Sequence, residues 1–374
     1  MTQPHHPALL PLTPAAEEPA GLKWGQFTNA QGAKVRFAFS PPPDLTAVKG
    51  HIVMLPGFKE PIEKYFEAMR DLHARGYAVW MMDWRGQGGS ERYLPAHPHK
   101  AHHTGYDEQI ETLHQFITHH VLPSKPAGLP LHMIGHSMGG HLTLRYLHDH
   151  NQPDADGNKG PITSAMLTAP MLDISTGALP KPLARQMAKF AKAGNALDKF
   201  IPGGSGWRLP DPAASGSDDP KDKKAQQTTS LDLNPATSNL TSDANRIGVM
   251  AVWFTRKPEI AVGDPTYGWV YHTLNSVDIL NQESYLKAIN TPILMEISGD
   301  ERVVVKAASE RAAGLLPNCT RLDIPEARHE IWMERDELRQ RWLAAVDSFL
   351  TTGPGAAPSV KKTNAQRDTK GPRR

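Results

Sequence analysis

The sequence has a single cysteine, no long apolar run and almost no net charge, and each absence argues against a class of protein. Cys319 is the single cysteine among 374 residues, so the chain cannot form an internal disulfide and fits a reducing compartment. No run of about 18 apolar residues occurs, which argues against a membrane-spanning helix. The net charge of +2 argues against a nucleic-acid partner.

The two ends of the chain differ in composition from the rest. Residues 1–22 are rich in proline and alanine, which predicts a flexible leader, and they lack the basic and apolar regions of a secretory signal. Residues 361–374 hold six lysines and arginines and one aspartate, which gives a net charge of +5. We therefore predict a disordered basic tail over 353–374, with weak peripheral contact with anionic membranes as the functional alternative. The predicted location is the cytoplasm.

Short apolar segments alternate with amphipathic segments along most of the chain. The apolar segments predict strands at 35–39, 51–55, 78–82, 131–134, 165–168, 293–297 and 320–324. The amphipathic segments predict helices, including 62–75, 106–120 and 139–150. This alternation is typical of an α/β protein, in which a mostly parallel central sheet carries helices on both faces. The predicted core comprises residues 23–172 and 288–352.

The alternation stops between residues 173 and 287. Residues 177–202 have a helical apolar pattern, and residues 246–285 are apolar and aromatic. Between them, 203–245 are rich in polar residues and glycine, which predicts a mobile or disordered segment. Because connections between strands and helices are usually short, we predict an inserted, largely helical cap over 173–287; an ordinary crossover for part of it is the alternative.

Residues 135–139 read Gly-His-Ser-Met-Gly and lie between a predicted strand and a predicted helix. A turn of this kind lifts the serine side chain clear of the sheet edge, and the glycines avoid collisions with the neighbouring strand and helix. Ser137 is therefore the predicted nucleophile. The alternative, a serine that only caps the helix, is disfavoured by this context.

A serine hydroxyl needs a base that removes its proton, and in this kind of turn the chain order is serine, acid, histidine. His329 follows the last predicted strand and is the single histidine after His272, so it is the predicted base. Asp300 and Glu301 both follow the strand at 293–297, and the residues alone leave the acid open between them. The other histidines lack a clean metal-ligand pattern, and no metal is predicted.

Two backbone N–H groups are predicted to stabilise the negative charge that develops on the substrate's carbonyl oxygen. One is that of Met138, directly after the nucleophile, and the other is that of Phe58, in the loop after the strand at 51–55. Aromatic residues of the cap are predicted to form an apolar wall for an acyl chain: Trp253, Phe254, Trp269 and Tyr271. Packing within the cap's own core is the alternative for each of them.

Four blocks of the sequence resemble the bacterial lysophospholipases and monoacylglycerol lipases of the α/β-hydrolase superfamily. They are residues 56–60 with Tyr65, 83–90, 135–139 and 327–330, and together they span about residues 50–350. Two segments of the cap, 241–243 and 263–269, resemble the lysophospholipase branch. Pro56 departs from the histidine that the family usually has before Gly57. The resemblance implies an α/β-hydrolase fold with an inserted cap.

The same resemblance implies the acid and the reaction. Family members carry the acid two residues before a pair of valines, and this register favours Glu301 over Asp300. The implied enzyme is a serine carboxylic-ester hydrolase that acts on a lysophospholipid through an acyl-enzyme on Ser137, without a cofactor. A monoacylglycerol lipase or general carboxylesterase is the first alternative. A peptidase, a carbon–carbon hydrolase or a non-catalytic binding protein of the same fold is the second.

Overall fold

The computed structural model describes residues 11–153, 156–157, 159–176, 179–207 and 232–353. Within these ranges eight strands form one sheet, in the order β1-β2-β4-β3-β5-β6-β7-β8. The pairs β1–β2 and β2–β4 are antiparallel, and all other neighbours are parallel. The strands are β1 (Lys23–Thr28), β2 (Lys34–Ser40), β3 (Gly50–Leu55), β4 (Tyr77–Met82), β5 (Leu131–His136), β6 (Ser164–Thr168), β7 (Ile293–Ser298) and β8 (Cys319–Ile324).

The helices lie on both faces of this sheet and in the long connection between β6 and β7. The α-helices of five or more residues are α1 (Phe66–His73), α2 (Tyr106–Phe116), α3 (Met138–His150), α4 (Lys181–Ala193), α5 (Val249–Arg256), α6 (Tyr267–Leu280), α7 (Glu283–Lys287), α8 (Lys306–Leu315) and α9 (Asp336–Thr352). Helices α4 to α7 fall within the range for which the sequence predicts a cap, and α4 packs on α6. Among the described residues, no helix has the length and apolar character needed to cross a membrane.

Alternate residues of the central strands supply two hydrophobic cores, one on each face of the sheet. On β3, Ile52 and Met54 join the core that α1 and α9 cover, whereas Val53 and Leu55 join the core that α2, α3 and α8 cover. All six residues of β3 are buried, as a strand covered on both faces requires. The α/β-hydrolase fold predicted from the sequence is confirmed.

Part of the predicted leader makes defined contacts. Residues 11–22 are described, and Ala16 is buried against the core that contains α1. The guanidinium of Arg70 on α1 donates hydrogen bonds to the carbonyl oxygens of Ala15 and Glu17, at 2.5 and 2.6 Å. Backbone carbonyls thus give this segment an anchor that its composition does not reveal, and the flexibility of the leader stays a prediction. Residues 1–10 and the predicted tail from residue 354 lie outside the described residues.

The predicted mobile segment at 203–245 is anchored in a similar way over its described part. The guanidinium of Arg328 donates to the carbonyl oxygens of Pro235, Ser238 and Thr241, at 2.7, 2.9 and 3.0 Å. The N–H of Glu330 also donates to Leu240 O at 2.9 Å. These hydrogen bonds hold the described part of the segment, although it has few apolar side chains. A scarcity of apolar side chains is the feature that predicts mobility. Residues 208–231 lie outside the described residues.

Candidate active site

The strand β5 ends at His136 and helix α3 begins at Met138, so Ser137 forms the turn between them. Its φ of 51° and ψ of −115° place it in a strained conformation that non-glycine residues rarely adopt. The N–H of Ser137 donates to Thr168 O at 3.0 Å, which ties the turn to the end of β6. A Cβ on Gly139 would lie 2.2 Å from Leu55 O, so the approach of α3 to β3 requires glycine there.

Three side chains predicted from the sequence form one chain of contacts at the carboxyl ends of the strands. Ser137 Oγ lies 2.9 Å from Nε2 of His329, and Nδ1 of His329 lies 2.9 Å from Oε2 of Glu301. The second oxygen of Glu301, Oε1, accepts hydrogen bonds from the N–H groups of Val303 and Val304 at 2.7 and 3.1 Å. These bonds hold the carboxylate in place beside the imidazole.

The electrostatics of this chain favour a carboxylate beside a basic imidazole. Burial by itself lowers the pKa of His329, but the carboxylate of Glu301, together with those of Glu330 and Glu60, outweighs burial and the net pKa is raised. Burial conversely raises the pKa of Glu301, but His329 and the N–H groups of Val303 and Val304 together outweigh burial, so the net pKa is lowered. Glu301 is therefore ionised at neutral pH, and it increases the affinity of Nε2 for a proton taken from Ser137.

Asp300, the other candidate acid, lies outside this chain of contacts. Its carboxylate accepts two hydrogen bonds from Arg302, at 2.8 and 2.7 Å, and lies 3.4 Å from Nε of Arg328. Its side chain is 40% exposed, whereas that of Glu301 is 2% exposed. The structure brings Glu301 and not Asp300 to His329.

The N–H groups of Phe58 and Met138 donate to no protein acceptor among the described residues. The loop that carries Phe58 is held on both sides. Gly57 N–H donates to Oε2 of Glu60 at 2.5 Å, and Nε2 of Gln87 donates to Gly57 O at 2.8 Å. These bonds fix the backbone of the loop while they leave the two N–H groups available to a ligand.

Beneath this loop a buried ionic network offers the ligand atoms of a candidate metal site. Atoms of Glu60, His136 and Glu330 lie within 4.8 Å of one another. The ammonium of Lys64 already bonds both carboxylates, at 2.6 Å from Glu60 and 2.5 Å from Glu330. Burial lowers the pKa of His136 to about 3, so this imidazole is neutral. The residues fit a lysine-centred network better than a metal ion, because a metal would have to displace Lys64.

The aromatic residues predicted for the acyl chain fall into different environments. The rings of Trp269 and Phe58 contact each other at a tilt of 38°, with centroids 4.2 Å apart, and both residues line a narrow cavity that also reaches Met138. The structure places Trp253 and Phe254 in the core on the opposite face of the sheet. Tyr271 accepts a hydrogen bond from Nζ of Lys192 at 2.9 Å, between α6 and α4. Side chains at nearby positions of one helix point in different directions and meet different surroundings. The sequence shows that a residue is aromatic but not which surroundings it meets.

The polar part of the cavity lining was missed by the sequence reasoning. It includes Gln87, His103 and Gln109, besides Tyr106 on α2. Gln87 lies in the block 83–90 that carries the family resemblance, so a signal was present for it. His103 belongs to a histidine-rich stretch that lacks a metal-ligand pattern, and the sequence gives no sign that His103 or Gln109 reaches the cavity.

The fold and the arrangement at the ends of β5, β7 and β8 define a serine hydrolase of the α/β-hydrolase fold. Residues 46–336 match the model of the family described as serine aminopeptidase, S33. Lysophospholipase L2 of Escherichia coli strain K12 is 30% identical over 310 residues, which cover 80% of this chain and 79% of that protein. The chain belongs to this serine aminopeptidase S33 family.

Two further comparisons concern monoglyceride lipase of Saccharomyces cerevisiae. Its sequence is 32% identical over 122 residues, which cover 32% of this chain and 37% of the lipase. The crystal structure of its soluble variant, in complex with a substrate analog, has a TM-score of 0.64 and 20% identity, and covers 88% of this chain and 94% of that one. At this level of identity the structural likeness concerns the fold.

Proposed function

We propose that this protein is a lysophospholipase that hydrolyses the carboxylic ester of a single-chain lipid through an acyl-enzyme on Ser137. The observation that carries the proposal is the unbroken line of contacts from Ser137 Oγ through His329 to Glu301, with 2.9 Å at each step. Such a line is what activates a serine hydroxyl for attack on a carbonyl carbon. No step of this chemistry needs a metal or an organic cofactor.

The reaction proceeds in two halves that use the same groups. Ser137 Oγ attacks the carbonyl carbon while Nε2 of His329 takes the hydroxyl proton, and the N–H groups of Phe58 and Met138 bind the negative oxygen. His329 then gives its proton to the departing alcohol as the ester C–O bond breaks. A water molecule, deprotonated by His329, attacks the acyl-enzyme and releases the fatty acid. Glu301 holds Nδ1–H and stabilises the imidazolium in both halves.

Two observations favour a lipid ester over a peptide as the substrate. The relative that covers 80% of this chain is named a lysophospholipase. An aminopeptidase must also bind the free ammonium of its substrate, for which an unpaired carboxylate near the nucleophile is suited. Besides Glu301, the buried carboxylates that act on the pKa of His329 are Glu60 and Glu330, and both already bind Lys64. Phe58, Met138 and Trp269 would form the apolar wall nearest Ser137 for an acyl chain. The cavity that they line, about 20 Å³, has room for a water-sized molecule and must widen to admit that chain.

A substrate panel tests this proposal. At equal acyl chain length we expect the purified protein to have a kcat/KM for lysophosphatidylcholine at least about tenfold above that for a 1-monoacylglycerol, and no measurable hydrolysis of aminoacyl anilides. Release of fatty acid is measured for the lipids and of aniline for the peptide analogues. A preference for the monoacylglycerol would assign the protein to the alternative lipase activity, and anilide hydrolysis would refute the ester proposal.

We also propose that the protein meets anionic membrane surfaces through the cap helix α4. Leu183 and Phe190 on this helix are 45% and 66% exposed. The helix carries four lysines and arginines and no acidic residue, although Lys181 and Arg185 pair with Asp173 and Asp278. Exposed apolar side chains among basic ones suit an interface between water and lipid. The basic tail at 361–374 would add to the same attraction.

Sedimentation with phosphatidylglycerol vesicles tests the membrane proposal. The double variant Leu183→Ser, Phe190→Ser should bind the vesicles at least about fivefold more weakly, because it removes the exposed apolar groups. Its kcat/KM on a soluble short-chain ester should stay within about twofold of wild type. Leu45→Ser is the matched control, since Leu45 is 68% exposed in the loop between β2 and β3, at the other end of the sheet. Unchanged binding of the double variant would contradict the role of α4.

Deletion of residues 361–374, tested with the same vesicles, should weaken binding mainly at low salt.

A further inference from the structure

Glu296 on β7 has a fully buried carboxyl group that no step of the proposed mechanism uses. Its Oε2 accepts a hydrogen bond from the N–H of Ala169 at 3.2 Å. Its Oε1 lies 2.9 Å from Oγ of Ser298, and the same Oγ lies 2.7 Å from the carbonyl oxygen of Arg328. Glu296 and Ser298 are 0% and 1% exposed, so in this place every polar atom depends on the protein for its partner.

The number of protons in this arrangement determines the state of the carboxyl group. The Ser298 hydroxyl has one hydrogen and two oxygen neighbours within hydrogen-bond distance. The carbonyl of Arg328 can only accept, and at 2.7 Å it is the nearer of the two. If Ser298 donates to Arg328, the contact with Glu296 needs a second hydrogen, which a protonated Glu296 supplies. An ionised Glu296 would instead claim the Ser298 hydrogen and leave two lone pairs facing each other at Arg328.

The contacts of Glu296 reach the loops that carry all three residues of the proposed triad. Glu296 accepts a hydrogen bond from the N–H of Ala169, the residue after Thr168. The carbonyl oxygen of Thr168 in turn accepts a hydrogen bond from the N–H of Ser137. Through Ser298 it holds the carbonyl of Arg328, which directly precedes His329. The loop that bears Glu301 continues from the same strand, β7. A change at this carboxyl group therefore alters the backbone that positions each of the three side chains.

We propose that Glu296 is a positioning residue that holds a proton at neutral pH, donates it to Ser298, and so fixes the histidine loop, and that loss of this proton in alkaline solution lowers turnover. This inference rests on the proposed function for its kinetic readout, whereas the protonation state of Glu296 can be measured without any substrate.

The surroundings of Glu296 support a bound proton. Burial raises the pKa of this carboxyl group to about 8, against smaller lowering effects of Ser298 and the Ala169 N–H. The charged groups that face it are Glu301, which raises the pKa further, and His329, which lowers it. Ionisation would thus place a second negative charge near Glu301, draw the Ser298 hydrogen to Glu296, and leave the contact between Ser298 and Arg328 without a hydrogen. Because the proton is bound below about pH 8, the active arrangement is present at neutral pH and is lost as the pH rises.

The kinetic test compares the wild type with Glu296→Gln, whose amide can donate to Ser298 and accept from Ala169 at every pH. On a soluble short-chain ester, kcat of the wild type should decline in alkaline solution with a midpoint near pH 8. Glu296→Gln should keep kcat at neutral pH within about threefold and should lack this decline. Glu296→Met, which offers neither bond, should lose about tenfold or more at neutral pH and also lack the decline. Persistence of the decline in both variants would overturn the proposal.

Infrared difference spectra provide the readout that is independent of activity. Between about pH 7 and pH 9.5, the wild type should lose a carboxylic C=O band that the spectra of the variants lack. Circular dichroism establishes that each variant is folded, and fluorophosphonate labelling reports on Ser137 separately. If the band is present but the enzyme hydrolyses no ester, the proposed function fails and the protonated Glu296 stands. If the wild type shows no such band at neutral pH, the inference about Glu296 is refuted while the function is untouched.

Discussion

Replacing Ser137 with alanine is expected to lower kcat on a short-chain ester by about 10⁴- to 10⁶-fold and to abolish labelling by a fluorophosphonate. The Oγ atom lies 2.9 Å from Nε2 of His329, and its removal leaves the site without the atom that forms the acyl-enzyme. Thermal unfolding and circular dichroism should remain close to wild type, since alanine adopts this turn no less easily than serine. Ester release in stopped assays and labelling on gels measure the two effects.

A matched control separates loss of the nucleophile from loss of a buried hydroxyl. Ser164 is also a buried serine that pairs with a histidine, because its Oγ lies 2.8 Å from Nδ1 of His132. It lies at the start of β6, at the end of the sheet opposite Ser137. Ser164→Ala should keep kcat within about twofold and cost only about 1 kcal/mol of stability. Substantial hydrolysis by Ser137→Ala would contradict the proposed mechanism.

Glu301→Gln is expected to lower kcat by about four orders of magnitude, with little change in KM. The glutamine side chain fits the same place but carries no charge, so it neither stabilises the imidazolium nor selects the Nδ1–H tautomer. The pH dependence should change as well. Because Glu301 raises the pKa of His329 and the base must be neutral, the acidic limb of kcat/KM should move to lower pH in the variant. A kcat/KM profile measured on a soluble ester tests both effects.

Asp300→Asn is the control for this experiment, since it removes one negative charge at the neighbouring position. Asp300 pairs with Arg302 and Arg328 and is 40% exposed, so screening should limit its effect on His329 to about tenfold or less. A large loss in Asp300→Asn together with a small loss in Glu301→Gln would transfer the role of the acid to Asp300. Similar intermediate losses would mean that the two carboxylates substitute for each other.

Much of the architecture could be predicted because its signals are local. Five of the six parallel-paired strands, β3 to β7, are short apolar segments that are buried at every position, and a strand buried on both faces leaves such a pattern. The strand β1 was not predicted, because its residues are exposed or half-buried in the pattern of an edge strand and contain no continuous apolar run. The serine turn was predictable for a similar reason, since two glycines and one strained residue must stand in a fixed order.

The choice between Asp300 and Glu301 shows where residue patterns reach their limit. Local chemistry allows either carboxylate, and only the register of the family resemblance favours Glu301, the residue whose Oε2 lies 2.9 Å from Nδ1 of His329. The hydrogen bonds by which Arg328 anchors residues 232–245 leave no pattern in the sequence. Their acceptors are backbone carbonyl oxygens, which every residue has. The sequence gives equally little indication of the role of Glu296, because a glutamate in a strand shows neither whether its side chain is buried nor whether its carboxyl group is protonated.

The most direct test of the account is to map the site at which a fluorophosphonate reacts with the intact protein. After labelling, digestion and mass spectrometry, we expect one adduct, on the peptide that contains Ser137, and none in Ser137→Ala. Prior incubation with a lysophospholipid should slow the labelling, because the substrate occupies the same site. An adduct on another residue, or ester hydrolysis that persists when Ser137 is fully labelled, would contradict the central claim that Ser137 forms the acyl-enzyme.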